Sequence, residues 1–131
     1  TIETLFTRDP ASFLFKRADE GNHPRSVGGR DGAALQIDGP YATPERVSLA
    51  VVLPPDNEAM ARRGGILLVL LLSLIAPDWN EASDWAMTHL RTAAYDARLI
   101  QTSERAHGDL TYRLTTDKAR SLATLVIGAS V

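Results

Sequence analysis

Cysteine is absent from the chain. Disulfides, thiolate metal sites, iron–sulfur clusters and a cysteine nucleophile are therefore excluded, while the redox compartment stays open because a cysteine-free chain tolerates either. The cytoplasm is the default reading and an extracytoplasmic location is compatible with it. Lysine is scarce too: of 14 basic residues only Lys16 and Lys118 are not arginine. Arginine forms bidentate bonds to phosphate and carboxylate, but here the arginines are scattered among acids and the formal net charge is −2. The basic stripe of a nucleic-acid binder is missing, so nucleic acid is not an expected partner. The arginine and alanine bias fits a GC-rich, bacterial genome.

The usual catalytic signatures are missing as well. His23, His89 and His107 lie in no H-x-x-x-H or H-x-E arrangement, so no metal is expected. No serine lies in a G-x-S-x-G elbow. Gly28-Gly29-Arg30-Asp31-Gly32 is glycine-rich, but it lacks both phosphate-loop spacings and no helix follows it, so it reads as a hairpin turn. The chain opens at Thr1 with no charged-then-apolar leader in its first residues. No cofactor is implied.

What the sequence does have is a long apolar run at its centre. Ile66–Ala76 is eleven residues, serine included, against the about 20 that a bilayer-crossing helix needs. It reads as a buried core helix, spanning Asn57–Ile75 and capped by Asp56 or Asn57. Gly64-Gly65 either breaks this helix or marks a close packing contact. Ser73 is expected to bond back to its own helix. Being apolar nearly all round, the second half needs cover on more than one side. Pro77 ends it.

Asp78-Trp79-Asn80-Glu81 then resembles a capping box for a second helix reaching about Ala97. Ala82, Trp85, Ala86, Leu90 (or His89), Ala93, Ala94 and Ala97 form its apolar side. Three strands follow, Arg98–Arg105, Leu110–Thr116 and Leu122–Ala129, the last apolar enough to be central. Upstream, Val47–Leu53 and Ala34–Asp38 read as strands, Arg25–Gly29 and Ser12–Arg17 as weaker ones joined by the loop Ala18–Pro24. Asp9-Pro10 capping a short helix through Phe15 is the competing reading there.

The expected fold is a single α+β domain over residues 1–131, in two layers. A curved antiparallel sheet of about six or seven strands carries two consecutive central helices on one face, in the order strands, helix, helix, three strands. The expected function is a binding or interaction module without catalytic activity. It would self-associate, or hold a small apolar or anionic ligand beside the central helices. The candidate ligand residues are Trp79, Trp85, His89, Arg91 and Arg113, with Arg98 as a further cation. One alternative is a small hydrolase or isomerase using His89 with Asp78, Glu81 or Asp84, which requires these side chains to share a cleft. The other is a detached domain of a larger envelope protein.

Overall fold

Four strands, Ala33–Asp38, Arg46–Val52, Leu110–Asp117 and Leu122–Ala129, bury alternate residues, and the four buried sets face the same side of the sheet. The computed structural model describes residues 14–17, 25–30, 32–38, 46–96 and 98–129, the first two segments as backbone only. The loop Ala18–Pro24, the turn at Gly39-Pro40 and the start of the alternative helix at Asp9-Pro10 lie outside these residues; Leu14 and Phe15 are in a strand.

The layer facing the helices is one antiparallel sheet of five strands: β3 (Ala33–Asp38), β4 (Arg46–Val52), β7 (Leu122–Ala129), β6 (Leu110–Asp117) and β5 (Ile100–His107), in that spatial order. This is fewer than the six or seven expected. The two weaker candidates, β1 (Leu14–Arg17) and β2 (Arg25–Arg30), continue the hydrogen-bonded order beyond β3 as backbone ladders. Gly28 and Gly29 pair within β2 instead of making the turn, which passes to Gly32 at φ +79°. Between β4 and β5 in the chain come α1 (Glu58–Ile75) and α2 (Ala82–Tyr95).

Register explains the core. Leu35, Leu49, Leu125 and Leu114 stand opposite one another on successive strands, and each is fully buried. Onto them come Leu67, Leu68, Leu71 and Leu72 of α1 and Ala82 and Ala86 of α2. Each fully buried leucine contributes roughly 1.5–3 kcal/mol, and the leucines of the central run form the helix side of a core whose other side is the sheet. β7 is central among the five strands, as its composition requires. On the opposite sheet face the cross-strand pairs are polar: Thr102 with Thr115 at 3.1 Å, and Glu104 with Arg113 at 2.9 Å.

Asn57 caps α1, its side-chain oxygen accepting from the Met60 N–H at 3.1 Å. The helix runs unbroken through Gly64-Gly65. A Cβ on Gly64 would stand 2.9 Å from Leu53 Cδ2, 3.2 Å from Val51 Cβ and 3.2 Å from the Val52 carbonyl. The glycine therefore lets α1 lie directly on the end of β4. Ser73 Oγ donates to the Val69 carbonyl at 2.9 Å, satisfying a hydroxyl inside the leucine run.

The second helix begins later than its capping box suggests. Its first residue is Ala82, and Glu81 at the cap makes no side-chain capping bond. Asp78 is drawn elsewhere, to His107 Nε2 at 3.2 Å, while tight turns fill the gap through Trp79 N–H to Ala76 O and Ala82 N–H to Trp79 O. α2 also ends at Tyr95, two residues before Ala97. Of its expected apolar side, Ala82, Ala86 and Ala93 are buried, with His89 buried more fully than Leu90, and Ala94 is exposed.

Candidate functional site

Two concavities flank α2, one apolar and one polar. The apolar one is an open groove of about 510 Å³ between the two helices. Gly65, Ile66 and Val69 of α1 form one wall and Met87 and Leu90 of α2 the other, with Leu53 also lining it. These positions follow helical spacing on each element, which makes each wall a continuous stripe. Gly65 is what opens it: a Cβ there would meet nothing within 4 Å. Ile66 is 59% exposed and Met87 41%, so large apolar side chains are left to water along the groove. Arg62 and Arg91 stand at its margin. Arg62 is lightly paired with Glu58 at 3.5 Å, both side chains being strongly exposed.

The polar cleft, of about 610 Å³, lies between α2 and the edge strand β5. His89, Trp85 and the carboxylates of Glu81 and Asp84 come from the helix; Gln101, Ser103 and Arg105 come from the strand. Trp85 is anchored by its indole N–H, which donates to Ser103 Oγ at 2.9 Å. His89 Nε2 lies 3.3 Å from Thr116 Oγ1 on β6, and burial pushes its pKa below the ordinary imidazole value. At neutral pH the ring is therefore neutral. The Gln101 side-chain nitrogen is buried, and the Gln101 side chain bonds to the Asp96 carboxylate. Arg105 donates to the Glu104 carbonyl at 3.0 Å, occupying a backbone acceptor on an edge strand that would otherwise invite pairing.

An aromatic cluster joins the start of α2 to the sheet. The Trp79 ring sits 5.4 Å from Trp85, 4.9 Å from Tyr112 and 5.4 Å from His107, the last nearly parallel at 12°. Burial, reinforced by the negative charge of Asp78, raises the pKa of the Tyr112 phenol.

The residues singled out from sequence thus fall in several places. Trp85 and His89 meet in the polar cleft, Arg91 lines the apolar groove, and Trp79 belongs to the aromatic cluster. Arg113 is held by Glu104 on the sheet face away from the helices, because its neighbours Tyr112 and Leu114 take the buried face. Arg98 is held by Asp96 in the link between α2 and β5, donating to it from both its backbone and its side chain. Of the acid–base set, Glu81, Asp84 and His89 share the cleft, whereas Asp78 is turned to His107. Among the described residues no group of three His, Asp or Glu side chains is placed to hold a metal, and no helix is long and apolar enough to cross a membrane.

Sequence reasoning missed the groove walls. The repeat of Arg62, Gly65, Ile66 and Val69 on one helical stripe was a usable signal for the groove. No protein-family model, curated protein or solved structure matches the chain.

Proposed function

We propose that this protein is a non-catalytic binding module whose ligand is a small amphiphile with an acyl chain and an anionic head. The supporting observation is the apolar groove between α1 and α2 with arginines at its margin. An apolar chain gains by covering Ile66, Val69 and Met87, which are otherwise partly in water. Each methylene taken fully out of water contributes about 0.8 kcal/mol, or roughly fourfold in affinity. The head group would meet the guanidinium of Arg62 or Arg91, which can bond a carboxylate bidentately. A carboxylate there needs no metal and no rearrangement of the core.

Calorimetric titration with a series of straight-chain alkyl carboxylates, and with the matching alcohols, tests this reading. Affinity should rise with chain length until the groove is filled, and the carboxylate should outbind the alcohol. Replacing Gly65 by isoleucine, which places a side chain in the open space of the groove, should abolish binding while the protein still folds. Absence of binding across the series would overturn the reading. A concentration-dependent dimer that masks Ile66, Leu70 and Met87 would assign the same surface to a second copy of the chain.

A further inference from the structure

We propose that the end of the molecule formed by the α2–β5 link and the β6–β7 turn docks on an anionic lipid surface. Among the described residues six large apolar side chains are exposed. Three of them, Tyr95 at 88%, Leu99 at 61% and Ile100 at 60%, fall between the last turn of α2 and the start of β5. The turn after β6 lies beside them. Its Lys118 N–H donates to the Leu99 carbonyl at 2.8 Å, its Lys118 ammonium donates to the Asp96 carbonyl, and Ile100 stands opposite Asp117 in the ladder. The backbone under the three side chains is thus tied to the sheet while the side chains project into water.

Charge is sorted between the two ends of the sheet. Around the apolar trio stand the cations Arg91, Arg98, Lys118 and Arg120, against the carboxylates of Asp96 and Asp117. Arg98 is held by Asp96, and Arg120 lies 3.8 Å from Asp117. Arg91 and Lys118 carry the surplus, the Lys118 ammonium bonding a neutral carbonyl. At the start of α1, on the same end, Asp56 and Glu58 are balanced by Arg62 and Arg63. The opposite end, where α2 begins and β5 turns into β6, carries Asp78, Glu81, Asp84 and Asp109 against Arg105, while Asp38 and Arg46 are cross-strand neighbours there. Within a chain of net charge −2, the described residues therefore present one cationic end, and that end bears the apolar tips.

An anionic bilayer suits both properties. Each Lys or Arg brought near its surface strengthens partitioning by about fivefold. Tyrosine settles at the head-group level, ring in the apolar boundary and hydroxyl in water, and Leu99 and Ile100 gain by entering the layer below. Side chains that project singly need no matching pockets in a fluid layer, whereas a folded protein partner would have to supply one for each. The apolar groove is continuous with this end. Arg91, one turn before Tyr95 on α2, stands at its margin, and Leu53, which lines it, donates its N–H to the Ser121 carbonyl at 2.7 Å. Docking would bring the groove beside a supply of amphiphiles, but it does not itself depend on the groove being filled.

The test is co-sedimentation of the intact protein with phosphatidylcholine vesicles, prepared with and without phosphatidylglycerol. The expected result is binding to the mixed vesicles that weakens with added salt, and little binding to phosphatidylcholine alone. Lys118→Gln should weaken binding by about fivefold, and Lys118→Arg should restore it. Leu99→Ser combined with Ile100→Ser should abolish binding. Both positions are exposed, so the urea midpoint of that double variant should stay close to the parent's. Gly65→Ile, which fills the groove, should still bind vesicles, so failure of docking and failure of the ligand reading are told apart. No binding to the mixed vesicles, equal binding to both kinds, or undiminished binding by the double variant would each overturn the proposal. A concentration-dependent dimer lost in the double variant, with vesicles left unbound, would overturn it too and give this end to a second copy of the chain.

Discussion

Gly64 and Gly65 are adjacent in the same helix, yet alanine should act on them differently. Both substitutions gain helix propensity, about 1 kcal/mol each, since glycine is the costlier residue in a helix interior. At Gly65 that is the whole effect, because the new methyl would meet nothing within 4 Å. Gly65→Ala should therefore stabilise the protein by about 1 kcal/mol. At Gly64 the methyl would sit 2.9 Å from Leu53 Cδ2 and 3.2 Å from both Val51 Cβ and the Val52 carbonyl. The leucine tip can swing aside, but the valine and the carbonyl belong to the core sheet. Overpacking of this kind costs roughly 1–3 kcal/mol, which offsets or exceeds the propensity gain. Propensity cancels between the two variants, so their difference isolates the clash. Urea denaturation should place Gly64→Ala about 1–3 kcal/mol below Gly65→Ala at equal denaturant dependence. If Gly64→Ala matched or exceeded Gly65→Ala, the close approach of α1 to β4 would be refuted.

Three further outcomes follow from the same geometry. Ser103→Ala should destabilise by roughly 0.5–1.5 kcal/mol by stranding the Trp85 indole N–H, while Ser103→Thr, which keeps a hydroxyl, should cost less in urea denaturation. Burial holds the His89 pKa below its ordinary value of 6.5, so below that value the unfolded chain binds a proton that the native state refuses. Stability should then fall as pH drops from 6.5 toward the lowered native value, and a flat urea midpoint for His89→Gln over the same range would confirm the assignment. Hydrogen bonds from the Arg98 side chain and backbone lower the pKa of Asp96 to about 2 from an ordinary 3.8. Its contribution is complete above 3.8 and is lost as pH falls through about 2. Carboxyl NMR should find that low titration, shifted upward in Arg98→Ala.

The central helices and the C-terminal strands were legible because their signals are local. Proline stops α1 at Pro77, Asn57 caps it, and Leu110, Tyr112 and Leu114 alternate with polar residues along β6. The strand count was less secure, since the residues of β1 and β2 carry no alternation as clear as that of β6. The start of α2 was misread because Asp78 has two uses, cap or ion pair, and a distant histidine on β5 decides between them. Trp85 and His89 line the same cleft, as their four-residue spacing on α2 allows. Arg91 is two positions from His89, and that alone turns it to the opposite flank of the helix. Arg113 was grouped with them only by charge, and strand parity sends it to the other face of the sheet.

The groove between the helices is examined most directly by a proton–nitrogen NMR titration of the intact protein with dodecanoate. Amide shifts should saturate and concentrate at Gly65, Ile66, Val69, Met87 and Arg91, with the Gln101 side-chain amide unmoved. A spectrum that does not respond, or one whose shifts gather in the α2–β5 cleft instead, would contradict the proposed binding function.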